Sequence, residues 1–236
     1  MAGIIGVIGG AGVAATNLLG ELIEHSVTRH GATRDAHHPE IIIWQATQVP
    51  SRSMFLEGRG PSFIEGYVDI ARKLKNAGAD TLCMCCNTAH YAIEDIAAQS
   101  GANFINLIAE VVLKAREKGK KHLGLIASDG CIRAGIYERC FASLFPDAHV
   151  ILPDKTMQSQ ITKGICNIKS TPRFLPEGSP DNPGTIFSNV VESLYNKGAE
   201  LIIIGCTDIR VAFTCDNSID SLEVLAGSII RESQKA

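Results

Sequence analysis

The sequence predicts an α/β protein of two pseudo-symmetric lobes, each a mostly parallel sheet flanked by helices, with a site in the cleft between them. Three observations predict it. Short apolar segments alternate with amphipathic ones along the 236 residues. One pattern of residues occurs twice. Each copy of that pattern ends in a cysteine.

Segments 3–8, 40–46, 79–85, 103–108, 122–127, 148–152 and 200–204 are short, apolar and bounded by Gly, Pro, Asn or Asp, and so read as buried strands. Stretches 14–29, 61–77, 89–99, 108–118, 133–144, 156–169, 185–197 and 222–233 read as helices, most of them from apolar residues at helical spacing. Strand–helix alternation favours a parallel sheet covered on both faces. Residues 170–184 hold four prolines and two glycines and cannot continue a helix. They read as a surface connector, long enough to serve as a lid.

The repeat aligns Leu74 with Leu194, Asn76 with Asn196, Gly78-Ala79 with Gly198-Ala199, Asp80 with Glu200 and Cys86 with Cys206. In each copy a helix stops at glycine, which accepts positive φ at little cost. An acidic residue, a strand and the cysteine follow. Gly6-Val7-Ile8 and Gly124-Leu125-Ile126 form a second matched pair. The expected lobes are 1–113 with 212–236, and 114–211, the last helix packing back on the first half.

Composition limits the function classes. A net charge of −3 argues against broad binding to nucleic acid or anionic membrane. No apolar run approaches the roughly 20 residues of a membrane helix, and the N-terminus lacks the pattern of a signal peptide. A cytoplasmic protein is expected, with its eight cysteines reduced.

Open α/β sheets bind ligands beyond the carboxyl ends of their strands, where Cys86 and Cys206 both fall. If two related halves face each other, the two thiols do too. Inverting a stereocentre next to a carboxylate needs a base on one face and an acid on the other, with the roles exchanged in reverse. Two thiols suit that task, since their pKa values shift readily.

At these residues the chain resembles the aspartate/glutamate racemase family. Cys86-Asn87-Thr88-Ala89-His90 resembles its first catalytic signature, and Gly205-Cys206-Thr207-Asp208 its second, with Asp in place of Glu. The glycine-rich start through Ala15-Thr16, and Asp220-Ser221 with Ala226, add to the likeness. The resemblance implies Rossmann-like lobes, no cofactor or metal, a homodimer, and a small acidic amino acid as substrate. It implies Cys86 and Cys206 as the acid/base pair, the second acting on the L-enantiomer. Asn87, Thr88, Ala89 and Thr207 would hold the α-carboxylate. Arg52 and Lys169 would hold the acidic side chain, and Ser128 would add a hydroxyl. The chain departs from the family pattern at Ala11, Val13, Ser51 and Arg210, near where a side chain would be selected.

Other readings remain open. Gly10-x-Gly12-x-x-Ala15 matches a dinucleotide fingerprint, but the strand at 40–46 lacks the acidic residue that a dehydrogenase needs at its end. Cys83, Cys85, Cys86 and His90 suggest zinc, without a second Cys-x-x-Cys pair. An isomerase or decarboxylase of the same superfamily using one cysteine, or a binding protein without turnover, would share the cleft. His90, one helical turn beyond Cys86, is either a tuning or a structural histidine.

Overall fold

A computed structural model describes residues 3–235. The first half is built on β1 (Ile5–Gly9), β2 (Ile41–Gln45), β3 (Thr81–Met84) and β4 (Asn103–Phe104), in the order β2-β1-β3-β4. The second is built on β5 (His122–Ile126), β6 (His149–Ile151), β7 (Leu201–Ile204) and β8 (Ser218–Asp220), in the order β6-β5-β7-β8. Every pairing is parallel, and the two orders are the same order.

The helices are α1 (Val13–Arg29), α2 (Arg52–Leu56), α3 (Ile64–Asn76), α4 (Ile93–Ser100), α5 (Leu107–Lys118), α6 (Asp129–Arg133), α7 (Ile136–Leu144), α8 (Lys155–Ile168), α9 (Pro183–Asn196) and α10 (Ser221–Ser233). Strand alternation sorts them into layers. Val7, Cys83, Cys85, Leu125, Leu201 and Ile203 point into one central core, filled from the other side by α1, α5, α7 and α10. Ile8, Leu82 and Met84 face outward under α3 and α4. Ile126, Ile202 and Ile204 face outward under α8 and α9. The two sheets thus share one helical layer.

The repeat is a repeat of contacts. Gly78 and Gly198 have φ of +104° and +92°. Ala79 N–H donates to Leu74 O at 3.1 Å, and Ala199 N–H to Leu194 O at 3.0 Å. Asp80 accepts from Ile4 N–H at 2.8 Å, as Glu200 accepts from His122 N–H at 3.1 Å. A Cβ on Gly6 would run into Leu82, and one on Gly124 into Ile202. The matched acids therefore tie the start of each central strand to its neighbour.

Three short elements escape sequence periodicity: α2, α6 and β8 cover too few residues to show a period. β8 is hydrogen-bonded to β7, so residues 218–220 pair with the second sheet and not, as the sequence boundary at 212 had it, with the first half. Helix α10 does pack on α1, and also on α5, while α5 packs on α7. The strand expected over 103–108 ends at Phe104, because Asn106 caps α5, its side chain accepting from Ala109 N–H at 3.1 Å. The helix expected from 89 begins as a 3-10 turn over Thr88–Ala92, and the one expected from 133 is cut by Gly135. Among the described residues no helix is long and apolar enough to cross a membrane.

His90 joins the two levels of the first half. Its Nε2 accepts from Leu107 N–H at 3.1 Å, so Nδ1 carries the proton and donates to Cys86 O at 2.9 Å. Burial pushes its pKa down to about 4, against backbone hydrogen bonds that favour the charged form. A histidine held neutral stabilises the fold above its ordinary 6.5, and that stability is lost as pH falls from there to about 4. The expected loss is about 3 kcal/mol. Asp220, pushed up to about 6 by burial, acts with the opposite sign over an overlapping range, so the comparison is between proteins. His90→Gln keeps a donor and an acceptor and should flatten the acid limb, measured by urea unfolding from pH 7 to 4.

Candidate active site

Cys86 and Cys206 stand two residues past the ends of β3 and β7. The ladders close alike: Cys85 N–H donates to Ile8 O at 3.0 Å and Gly205 N–H to Ile126 O at 2.8 Å. Beyond that point both cysteines line one cavity of about 370 Å³. Arg52, Asn87, Thr88, Ser128, Lys169 and Thr207 line it as well. Of the site residues read from sequence only Ala89 does not; it is fully buried in the outer core of the first half. No residue of 170–184 lines the cavity.

Buried polar contacts hold the two cysteine turns together. Thr207 Oγ1 donates to Cys85 O at 3.2 Å. Thr88 and Ser128 hydroxyls meet at 2.8 Å. Asn87 donates to Ser221 Oγ at 2.9 Å and accepts from Tyr137 OH at 2.7 Å. The side chains of Asn87, Thr88 and Thr207 are therefore engaged as struts. Cys83 and Cys85 face the central core while Cys86 belongs to the outer one. With both His90 nitrogens engaged by backbone, these four do not converge. Ser53 Oγ, on α2, accepts from Gly130 N–H of α6 at 3.1 Å and ties the halves across the cavity.

The electrostatics are strongly partnered. Lys169 Nζ lies 3.0 Å from Asp208, whose side chain is only 5% exposed. Asp208 fits because Gly12, at the start of α1, has no Cβ; a Cβ there would overlap Asp208 Oδ1. The glycine-rich loop that matched a dinucleotide fingerprint thus receives a carboxylate of the chain itself at the helix N-terminus. Arg52 donates from Nη1 to Pro50 O and from Nη2 to Ala11 O, both at 3.2 Å, and its buried Nε has no partner. Burial works against its charge, but Cys86, Tyr67 and Asp208 favour it and prevail. Burial, with Asp208 adding and Lys169 opposing, pushes the Cys206 thiol up to about 12. Arg210, flagged as a departure, does not line the cavity; it faces the Asp220 carboxylate at 3.4 Å.

Several lining residues were not found in the sequence. Thr162, Ile165 and Cys166 share a helix face with Lys169 at i, i+3, i+4 and i+7, and that spacing would have revealed them. Met54, Glu57 and Arg59 come from α2 and the loop after it, which carry no periodic signal. Tyr67 is fully buried, its hydroxyl unpartnered; burial and then Cys86 raise its pKa, and Arg52 opposes them.

Fold and site together define a two-lobed α/β enzyme with one thiol contributed by each half. The model of the Asp/Glu/hydantoin racemase family matches residues 5–225. The chain belongs to that family, and its enzyme class is amino-acid racemase. It is 22% identical over 234 residues, 96% of each chain, to the broad specificity amino-acid racemase RacX of Bacillus subtilis (strain 168). The fold is that of the Picrophilus torridus aspartate racemase, with a TM-score of 0.82 at 23% identity over 99% of this chain and 95% of that one. Glutamate racemase from Campylobacter jejuni subsp. jejuni superposes with a TM-score of 0.62 at 17% identity, over 98% and 86%.

The raised Cys206 pKa has a direct readout. Alkylation follows the thiolate fraction, so iodoacetamide labelling of Cys206 should keep rising with pH beyond 10. Exposed Cys166 serves as the internal comparison. Peptide mass mapping checks this; a Cys206 rate that levels off near pH 9 contradicts it.

Proposed function

We propose that this racemase inverts the α-carbon of an amino acid with Cys86 and Cys206 as a thiol/thiolate pair. What carries the reading is that the two thiols, from equivalent strand ends of two halves, open on one cavity. A thiolate on one face takes the Cα proton. The electron pair left behind moves onto the α-carboxylate, and the thiol on the other face returns a proton to Cα. The enantiomer is formed and the two sulfurs have exchanged protonation states.

Backbone N–H groups at Asn87, Thr88 and Thr207 and the Thr88 hydroxyl are the proposed grip on the α-carboxylate, stabilising the charge that develops there. Ala89 enters this only through its backbone. The Arg52 guanidinium lies beside Cys86. An acidic substrate, as the family resemblance implies, would place its side chain near Lys169, whose ammonium already faces Asp208. A cytoplasmic homodimer acting without cofactor completes the proposal.

Cys86→Ala and Cys206→Ala should each lower racemisation at least about a thousandfold, because one face then lacks its proton carrier. In D2O the wild-type protein should wash deuterium into Cα from either enantiomer, while each variant should retain exchange from one enantiomer only. Chiral chromatography and mass spectrometry read both. Near-full turnover in either variant would sink the two-base mechanism.

A further inference from the structure

The charges of the cavity go beyond what the two-thiol reading requires. Arg52, Arg59 and Lys169 line it against Glu57, Asp129 and Asp208. These cancel in number, and two of the three cations are paired with a carboxylate of the cavity. Lys169 is 3.0 Å from Asp208, and Arg59 pairs with Glu57. Arg52 is engaged by two backbone carbonyls. Asp129 is held by neutral donors, Gln158 Nε2 and Thr162 Oγ1, each at 2.7 Å.

We infer that the substrate is an amino acid whose side chain carries no negative charge, and that Asp208 sets this preference by holding Lys169. The inference rests on the racemase reading and narrows its substrate class. The working enzyme carries one thiolate. Three cations, three carboxylates and that thiolate leave the cavity with one net negative charge. A substrate with a neutral side chain enters as a zwitterion and adds none. An acidic side chain adds a second negative charge, in a partly desolvated cleft where like charges are weakly screened.

Lys169 already faces Asp208, which offsets its charge toward an acidic side chain for as long as the pair holds. That carboxylate is nearly buried against Gly12, and a buried charge without its partner is strongly unfavourable. Met54 and Ile165 also line the cavity, apolar surface that fits an uncharged side chain or the alkyl stem of a basic one.

The test is a panel of alanine, serine, methionine, glutamine, lysine, aspartate and glutamate. Racemisation is followed by chiral chromatography for the wild-type protein, Asp208→Asn, Lys169→Met and the double variant. For the wild-type protein, kcat/KM for the best non-acidic substrate should exceed that for aspartate and glutamate roughly tenfold or more. Asp208→Asn, close to isosteric beside Gly12, frees the ammonium and should shift the ratio toward the acids by roughly tenfold, mainly through KM. That shift should vanish in the double variant. If the variants do not fold, by circular dichroism, the wild-type panel decides alone. A wild-type preference for aspartate or glutamate overturns the inference and leaves the racemase reading standing, as does an unchanged ratio in folded Asp208→Asn. Racemisation of no amino acid on the panel overturns both.

Discussion

The sharing of one helical layer by two sheets is the constraint on which the rest of this structure depends. Val7, Cys83 and Cys85 from one sheet and Leu125, Leu201 and Ile203 from the other enter the same apolar core with α1, α5, α7 and α10. Neither sheet can rotate without opening that core. Burial of the helices between the sheets is the main driving force, at roughly 25 cal/mol per Å² of apolar surface. The end helices strengthen it. Helix α5 leaves the first sheet to pack on α7 of the second half, and α10 leaves the second sheet to pack on α1 of the first. With this layer in place, β3 and β7 end at one cavity, and so do the cysteines after them.

Fine positioning at that point is polar. Thr207 to Cys85, Thr88 to Ser128, Asn87 to Ser221 and Tyr137, and Ser53 to Gly130 all join chain segments far apart in sequence. Each contact satisfies a group that would otherwise be costly to bury. Side chains in the cysteine motifs therefore act largely on the protein itself. The same holds for His90, whose two nitrogens bridge the Cys86 carbonyl and the start of α5.

Charge in the cavity follows a similar logic. A carboxylate at 5% exposure needs a cation, and Lys169 supplies it to Asp208. A guanidinium largely removed from water needs acceptors, and the carbonyls of Pro50 and Ala11 supply them to Arg52. The two thiols thus share their cavity with charges that are mostly partnered by the protein itself.

Much of this was legible in the sequence. Alternation located seven of the strands, because the periods of burial are set by local geometry. The repeat, with matched glycines, acids and cysteines, announced two like halves and the thiol pair, and the motif residues around each cysteine pointed to a common cleft. Short elements were invisible: α2 and α6 span one turn, and β8 three residues that only pairing with β7 makes a strand. The partner of each cation was invisible too. Lys169 and Arg52 read as cations for a substrate's acidic side chain, and only the meeting of α8 with the turn after β7, and of α2 with the first glycine-rich loop, gave them acceptors within the protein. Propensity and periodicity are properties of neighbouring residues. Ion pairs and struts are properties of which elements meet, and the shared core decides that.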